Sequence, residues 1–170
     1  MSRFITLIIA TLLSAALLVN ALPLNRRGSP VNIKVDSTQE FCTYLPPKPG
    51  MPIGEAEGNA VPFCTKTQAS GTRQLPSGFI VSAHFKQTSS YTQVTGRIDR
   101  SKYSLSASDG GGQYDNKNEI GSTCNGWSHW VNLVEPDTEK FCIRCCKNSS
   151  DCNLGASEYG CDRVIPGDYS

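Results

Sequence analysis

Apolar and polar residues alternate with a period of two along much of this chain, and a 3.6-residue period is hard to find. Val31, Ile33 and Val35 stand two apart with Asn32 and Lys34 between them, which predicts a first strand. In GFIVSAHFKQT the alternation puts Phe79, Val81, Ala83 and Phe85 on one face and Ile80, Ser82, His84 and Lys86 on the other. SYTQVTGRI follows after residues 87–89, close enough for an antiparallel hairpin, with Thr92, Val94, Gly96 and Ile98 on one face. KYSLSAS (102–108) and WSHWVNLVE (127–135) read as further strands. Gly, Ser, Thr, Asn and Pro interrupt every window in which a helical period could begin. The simplest assembly is all-β: a small disulfide-stapled sandwich or barrel-like domain with long loops.

Two stretches read as loops. LPPKPGMPIGEAEGNAVP carries Pro46, Pro47, Pro49, Pro52 and Pro62, which favours extended, polyproline-like chain. SDGGGQYDNKNEIGS is polar and glycine-rich, an exposed turn or flexible loop.

The N-terminus sets the compartment. A positive start at Arg3 precedes an apolar run from Phe4 to Val19, and small residues follow up to Ala21. This is the three-part pattern of a secretory signal over residues 1–21; a spanning helix would need about 20 apolar residues. Arg26 and Arg27 form a dibasic pair before Gly28-Ser29-Pro30, so residues 22–27 read as a removable propeptide and 28–170 as one secreted domain. The full chain has 16 basic and 15 acidic residues. Losing Arg3, Arg26 and Arg27 leaves 13 basic residues against 15 acidic ones, a net charge of about −2. No run of like charge survives, which argues against nucleic acid and, after signal cleavage, against a membrane as partner.

The eight cysteines are Cys42, Cys64, Cys124, Cys142, Cys145, Cys146, Cys152 and Cys161. An even number in an exported chain points to four disulfides. Cys42 and Cys64 flank the proline-rich loop and read as a pair, worth on the order of 3 kcal/mol through loop closure. Cys124 then has to reach the cysteine-rich C-terminal segment. If FCIRCC is extended, Phe141, Ile143 and Cys145 point one way and Cys142, Arg144 and Cys146 the other, so the adjacent Cys145 and Cys146 need different partners. A zinc knuckle at Cys142-x2-Cys145 and a redox pair fit an oxidising compartment less well, and no metal or cofactor is expected. Asn148-Ser149-Ser150 is a glycosylation sequon in a polar segment between Cys146 and Cys152.

Candidate chemistry is sparse. The histidines are His84 and His129, and neither G-x-S-x-G nor H-E-x-x-H occurs, so no catalytic residue is assigned. Asp109, Asp115, Asn116 and Glu119 miss the calcium-loop order and read as a solvated turn. CNGWSHWVNL suits ligand binding better: Trp127 and Trp130 bracket His129, and Tyr114 comes from the glycine-rich loop. Exposed aromatic faces stack on sugar rings, but in a regular strand Trp127 and Trp130 face opposite sides, so at most one belongs to the core.

The signal, the dibasic junction and the pattern C-x2-C-C-x5-C-x8-C followed by VIPGDY resemble small secreted cysteine-rich proteins of fungi. In such proteins a Kex2-like protease removes short propeptides, and some act as effectors or at the cell surface. The resemblance implies a non-enzymatic extracellular protein, wall-associated or facing a host or competitor. Its partner would be a cell-wall polysaccharide or a host protein. A small extracellular hydrolase is the alternative reading, and a secreted inhibitor or antimicrobial protein the second.

Overall fold

The structure, a computed structural model, describes residues 31–68 and 70–170; the expected processing points at Ala21, Arg26 and Arg27 lie outside the described residues. Among the described residues the strands are β1 (Asn32–Ile33), β2 (Val35–Ser37), β3 (Glu40–Leu45), β4 (Val61–Cys64), β5 (Arg73–Gln74), β6 (Ile80–Gln87), β7 (Tyr91–Ile98), β8 (Gly112–Asp115), β9 (Thr123–Cys124), β10 (His129–Glu135) and β11 (Lys140–Cys146). One helix, α1 (Gly160–Val164), has five residues. The all-β reading holds. An antiparallel five-stranded sheet runs β6-β7-β11-β10-β8, a smaller sheet runs β2-β3-β4-β5, and β1 pairs with β9 in parallel.

β11 organises the packing. Its alternation sends Phe141, Ile143 and Cys145 into the main core, while Cys142 and Cys146 enter a second cluster on the opposite face. In the main core the two sheets meet through aromatic pairs. Phe41 stacks on Phe141 with ring centroids 5.6 Å apart, and Tyr44 stacks on Trp130 at 4.4 Å. Such pairs add about 0.5–1.5 kcal/mol beyond the area they bury. A polar tie lies among them: Asn132, fully buried, accepts from the Thr43 hydroxyl (2.8 Å) and from the Tyr44 N–H (3.0 Å).

The second cluster lies on the outer face of the large sheet. Val131, Leu133, Cys142 and Cys146 are covered there by Cys152, Ala156, Cys161, Val164 and Ile165. Past α1 the chain crosses β7. Gln93 donates to the Pro166 carbonyl (3.1 Å) and Thr95 to that of Asp168 (2.6 Å). The C-terminal segment is therefore a cover for a sheet face that would otherwise expose apolar side chains.

Three local expectations are corrected. KYSLSAS is no strand: the Asp99 carboxylate accepts from the Ser101 N–H (3.0 Å), capping a 3₁₀ turn at Arg100–Tyr103. Such local side-chain bonding competes with ladder formation. Val81 leaves the face expected to hold Phe79, Ala83 and Phe85 as well, because the β6–β7 register slips between Ile80 and Ser82. Ser82 accepts the Arg97 N–H through its hydroxyl (3.1 Å), and Val81 is 62% exposed. The glycine-rich stretch is not a flexible loop, since it contains β8. Gly111, at φ 91°, lies so close to β10 that a Cβ there would meet the Val134 carbonyl oxygen at 2.1 Å. At Gly111 the missing side chain serves close docking of backbone, not freedom.

Trp130→Ala should cost about 3–5 kcal/mol in chemical denaturation, because it empties the centre of the aromatic stack. Val81→Ala should stay within about 0.5 kcal/mol of the parent, whereas a valine on the core face would cost more.

Candidate functional site

Two of the aromatic residues expected at a binding face belong to the interior. Trp130 is fully buried, stacked on Tyr44, and donates its indole N–H to the Ser122 carbonyl (3.2 Å). Tyr114 is also fully buried and donates to the Ile53 carbonyl (2.8 Å), pinning the proline-rich segment to β8. Desolvation raises the pKa of both Tyr44 and Tyr114, so each is a neutral phenol. Neither Trp130 nor Tyr114 can stack on a ligand.

Trp127 is placed differently. Asn125 and Gly126 both have positive φ (52° and 76°), the geometry of a two-residue hairpin turn, and Cys124 and Trp127 exchange backbone hydrogen bonds at 2.9 Å in each direction. The turn is clamped from outside. Asn125 accepts the Val35 N–H (2.9 Å) and donates to the Val35 carbonyl and the Thr92 hydroxyl (3.0 Å each). Trp127 and Phe85 rest half-buried against the main core and line a groove of about 380 Å³. Lys34, Asp36 and Gln87 line its exposed polar side, and Lys147 sits with its ammonium 5.6 Å from the indole centroid. Rigid aromatic faces beside a cation, a carboxylate and an amide can bind a polyhydroxylated ring. No sequence pattern singles out Phe85, Lys34, Asp36 or Gln87 as groove residues. The Asn125-Gly126 dipeptide is the signal that could have marked the turn.

The histidines lie apart. His129 begins β10, half-buried, opposite Cys146. His84 on β6 holds the end of the C-terminal segment: Nδ1 lies 3.4 Å from an Asp168 carboxylate oxygen and Nε2 lies 3.1 Å from the Ser170 carbonyl oxygen. The Ser170 hydroxyl is 3.5 Å from Nε2, so the residue types of a serine–histidine–aspartate relay are present. Asp168 and Ser170 are exposed, however, and His84 is already committed to the backbone of Ser170, which makes this contact a pin for the tail.

All eight cysteines are bonded: Cys42–Cys64, Cys124–Cys145, Cys142–Cys161 and Cys146–Cys152. The zinc-knuckle alternative thereby loses its thiolates. Asn148 is exposed at the start of the turn Ser149–Asp151, within the loop closed by the Cys146–Cys152 bridge.

A second concavity, a cleft of about 480 Å³, opens where the 57–62 and 116–122 segments approach β3 and β5. Val31, Ala60, Val61, Pro47 and Pro62 supply apolar wall, Asn118 and Arg73 polar rim, and Tyr44, Glu119 and Ser122 the inner surface. Glu119 is 6% exposed and accepts the Ala60 N–H (3.0 Å); the solvated turn expected there is instead packed structure. Partial desolvation, aided by Asp115 and Glu57, raises its pKa above the ordinary carboxyl value despite N–H donors at Ala60 and Gly58. Arg73 is fixed at the mouth by the Pro47 carbonyl (2.7 Å) and lies 5.6 Å from the Phe63 ring centroid.

Two proteins of Mycosarcoma maydis are similar to this chain. One, appressorium protein ROW1, is 30% identical over 156 residues, covering 79% of this chain and 36% of its own length. The other, appressorium protein ROW2, is 32% identical over 139 residues, covering 73% of this chain and 48% of its own. The chain thus spans a third to a half of the length of these relatives. No protein-family model matches it, and no solved structure does.

The raised Glu119 pKa fixes a sign. Folding favours the protonated carboxyl, so this contribution is full below the unfolded pKa of 4.5 and is lost as pH rises through the higher folded value. Glu119→Gln keeps an acceptor for Ala60 and removes the charge. Urea midpoints measured from pH 4 to pH 8 should show the parent losing stability relative to Glu119→Gln as pH rises; a constant difference would refute the assignment. Glu135, raised for the same reason, is common to both proteins and cancels.

Proposed function

We propose that this is a secreted, non-enzymatic, cysteine-rich protein of a fungal cell surface, working where the fungus meets its host, and that the groove around Trp127 holds cell-wall polysaccharide. The groove carries the molecular part of this reading: two core-anchored aromatic rings lie beside Lys34, Asp36 and Gln87 on accessible surface. The setting is supported by the names of the relatives, which refer to the appressorium, the cell through which a fungus enters a host. Four disulfides suit an oxidising exterior, as does the signal read at residues 1–21. A glycan on Asn148 would start one residue after Lys147, whose ammonium lies 5.6 Å from the Trp127 ring centroid.

The test is retention of the oxidised protein on insoluble chitin, β-glucan and mannan. One of the three should retain it, and Trp127→Ala should lower retention about tenfold, the loss of one stacking contact. Lys34→Ala, on exposed chain, should weaken binding without altering thermal unfolding. No retention on any polymer, or retention unchanged in both variants, would reject the reading.

A further inference from the structure

The cover over the outer face of the large sheet has two parts of different construction. Up to Ile165 it is apolar, seated on Val131 and Leu133 and fixed by Cys142–Cys161 and Cys146–Cys152. Residues 166–170 hold no cysteine, and the sheet beneath them is polar: Gln93 and Thr95 on β7, with His84 beside them on β6. An apolar face has to stay covered, whereas a hydrogen-bonding face can exchange its cover for another chain.

The contacts under residues 166–170 form a ladder. Arg144 holds the Gln93 side-chain carbonyl (2.9 and 2.7 Å), which turns the Gln93 amide nitrogen to the Pro166 carbonyl (3.1 Å). Thr95 donates to the Asp168 carbonyl (2.6 Å), and His84 Nε2 meets that of Ser170 (3.1 Å). Carbonyls at every second residue are the period of extended chain, so the ladder reads backbone, which any extended peptide offers. Two positions add selectivity. Gly167 is pressed so closely that a Cβ there would come within 2.7 and 2.8 Å of Thr95 and 3.0 Å of Gln93. The Asp168 carboxylate lies 3.4 Å from His84 Nδ1. Lys86 and Arg144 stand on the same face, 5.9 and 4.3 Å from the Tyr91 ring centroid.

We propose that this face of the β6–β7 hairpin is a binding site for an extended, acidic peptide segment of a partner protein, with glycine before the acid, and that residues 166–170 occupy it until the partner displaces them. Charge complementarity sets the partner's chemistry: His84, Lys86 and Arg144 line the face, and the resident segment answers them with Asp168. The Trp127 groove takes Phe85, Gln87 and Thr92 from the opposite face of the same hairpin, so the proposal does not depend on what the groove binds.

The experiment follows the fluorescence anisotropy of a labelled peptide, IPGDYS, titrated with the oxidised full chain and its variants. In the parent the resident segment competes at high effective concentration, so the peptide should bind weakly. Gly167→Val pushes that segment off Thr95 and should bind the peptide at least tenfold more tightly. Adding Thr95→Val should undo the gain. IPVDYS, with valine for the glycine, should bind at least tenfold more weakly than IPGDYS, and IPGNYS, with the acid neutralised, several-fold more weakly. Gly167→Val should unfold in urea at nearly the parent's midpoint, because the cross-linked apolar cover up to Ile165 stays in place. The proposal is overturned if Gly167→Val binds IPGDYS no better than the parent, if IPVDYS or IPGNYS binds equally well, or if Thr95→Val leaves the affinity unchanged. Loss of the folded state in Gly167→Val would also overturn it, by showing that residues 166–170 are a permanent part of the cover.

Discussion

A strand that is apolar on both faces must be covered on both, and β11 is such a strand. Phe141, Ile143 and Cys145 look into the space between the sheets, while Cys142 and Cys146 look away from it. The small sheet satisfies the first face through its aromatic stacks. For the second face the chain supplies a segment with little regular structure, one five-residue helix and a few turns, which buries few residues of its own. Hydrophobic contact over so small a patch does not hold a segment of this kind against its conformational entropy. Cys142–Cys161 and Cys146–Cys152 attach it covalently to the strand it covers. Arg144 on the same face adds a polar tie, donating to the Asp151 carbonyl of that segment (3.2 Å) and to Gln93 of β7 at 2.9 and 2.7 Å.

The same strand links the cover to the groove. Cys145 reaches through the main core to Cys124, the residue from which the Asn125-Gly126 turn departs. Trp127 is thus one short turn away from a covalent bond to the central strand. Two buried polar groups, the Tyr44 hydroxyl and the Glu119 carboxyl, border the cleft. A stable scaffold elsewhere in the molecule lets such groups persist.

Alternation makes β7 and β10 legible in the sequence, and β11 once FCIRCC is taken as extended, because period-two patterning follows directly from the pleat. It also separates Cys145 from Cys146 and limits the core to one of the two tryptophans. It fails where a single residue breaks the pleat: nothing in GFIVSAHF announces that Val81 is looped out, since the bulge depends on the Ser82 hydroxyl meeting the Arg97 N–H across the hairpin. Tyr114 and Glu119 escape it for a related reason. Glycine-rich polar sequence reads as exposed chain, but at Gly111 the missing side chain admits the backbone of β10. The groove is half legible, since Trp127 stands out while Phe85, Lys34 and Asp36 come together only through tertiary pairing.

The two faces of β11 are cross-linked to different parts of the molecule, and mapping the bonds of the adjacent cysteines tests this arrangement. Proteolysis of the oxidised protein, with fragmentation mass spectrometry to resolve Cys145 from Cys146, should connect Cys145 to the peptide bearing Cys124 and Cys146 to Cys152. A free thiol at either position, or Cys146 joined to Cys124, would contradict this pairing.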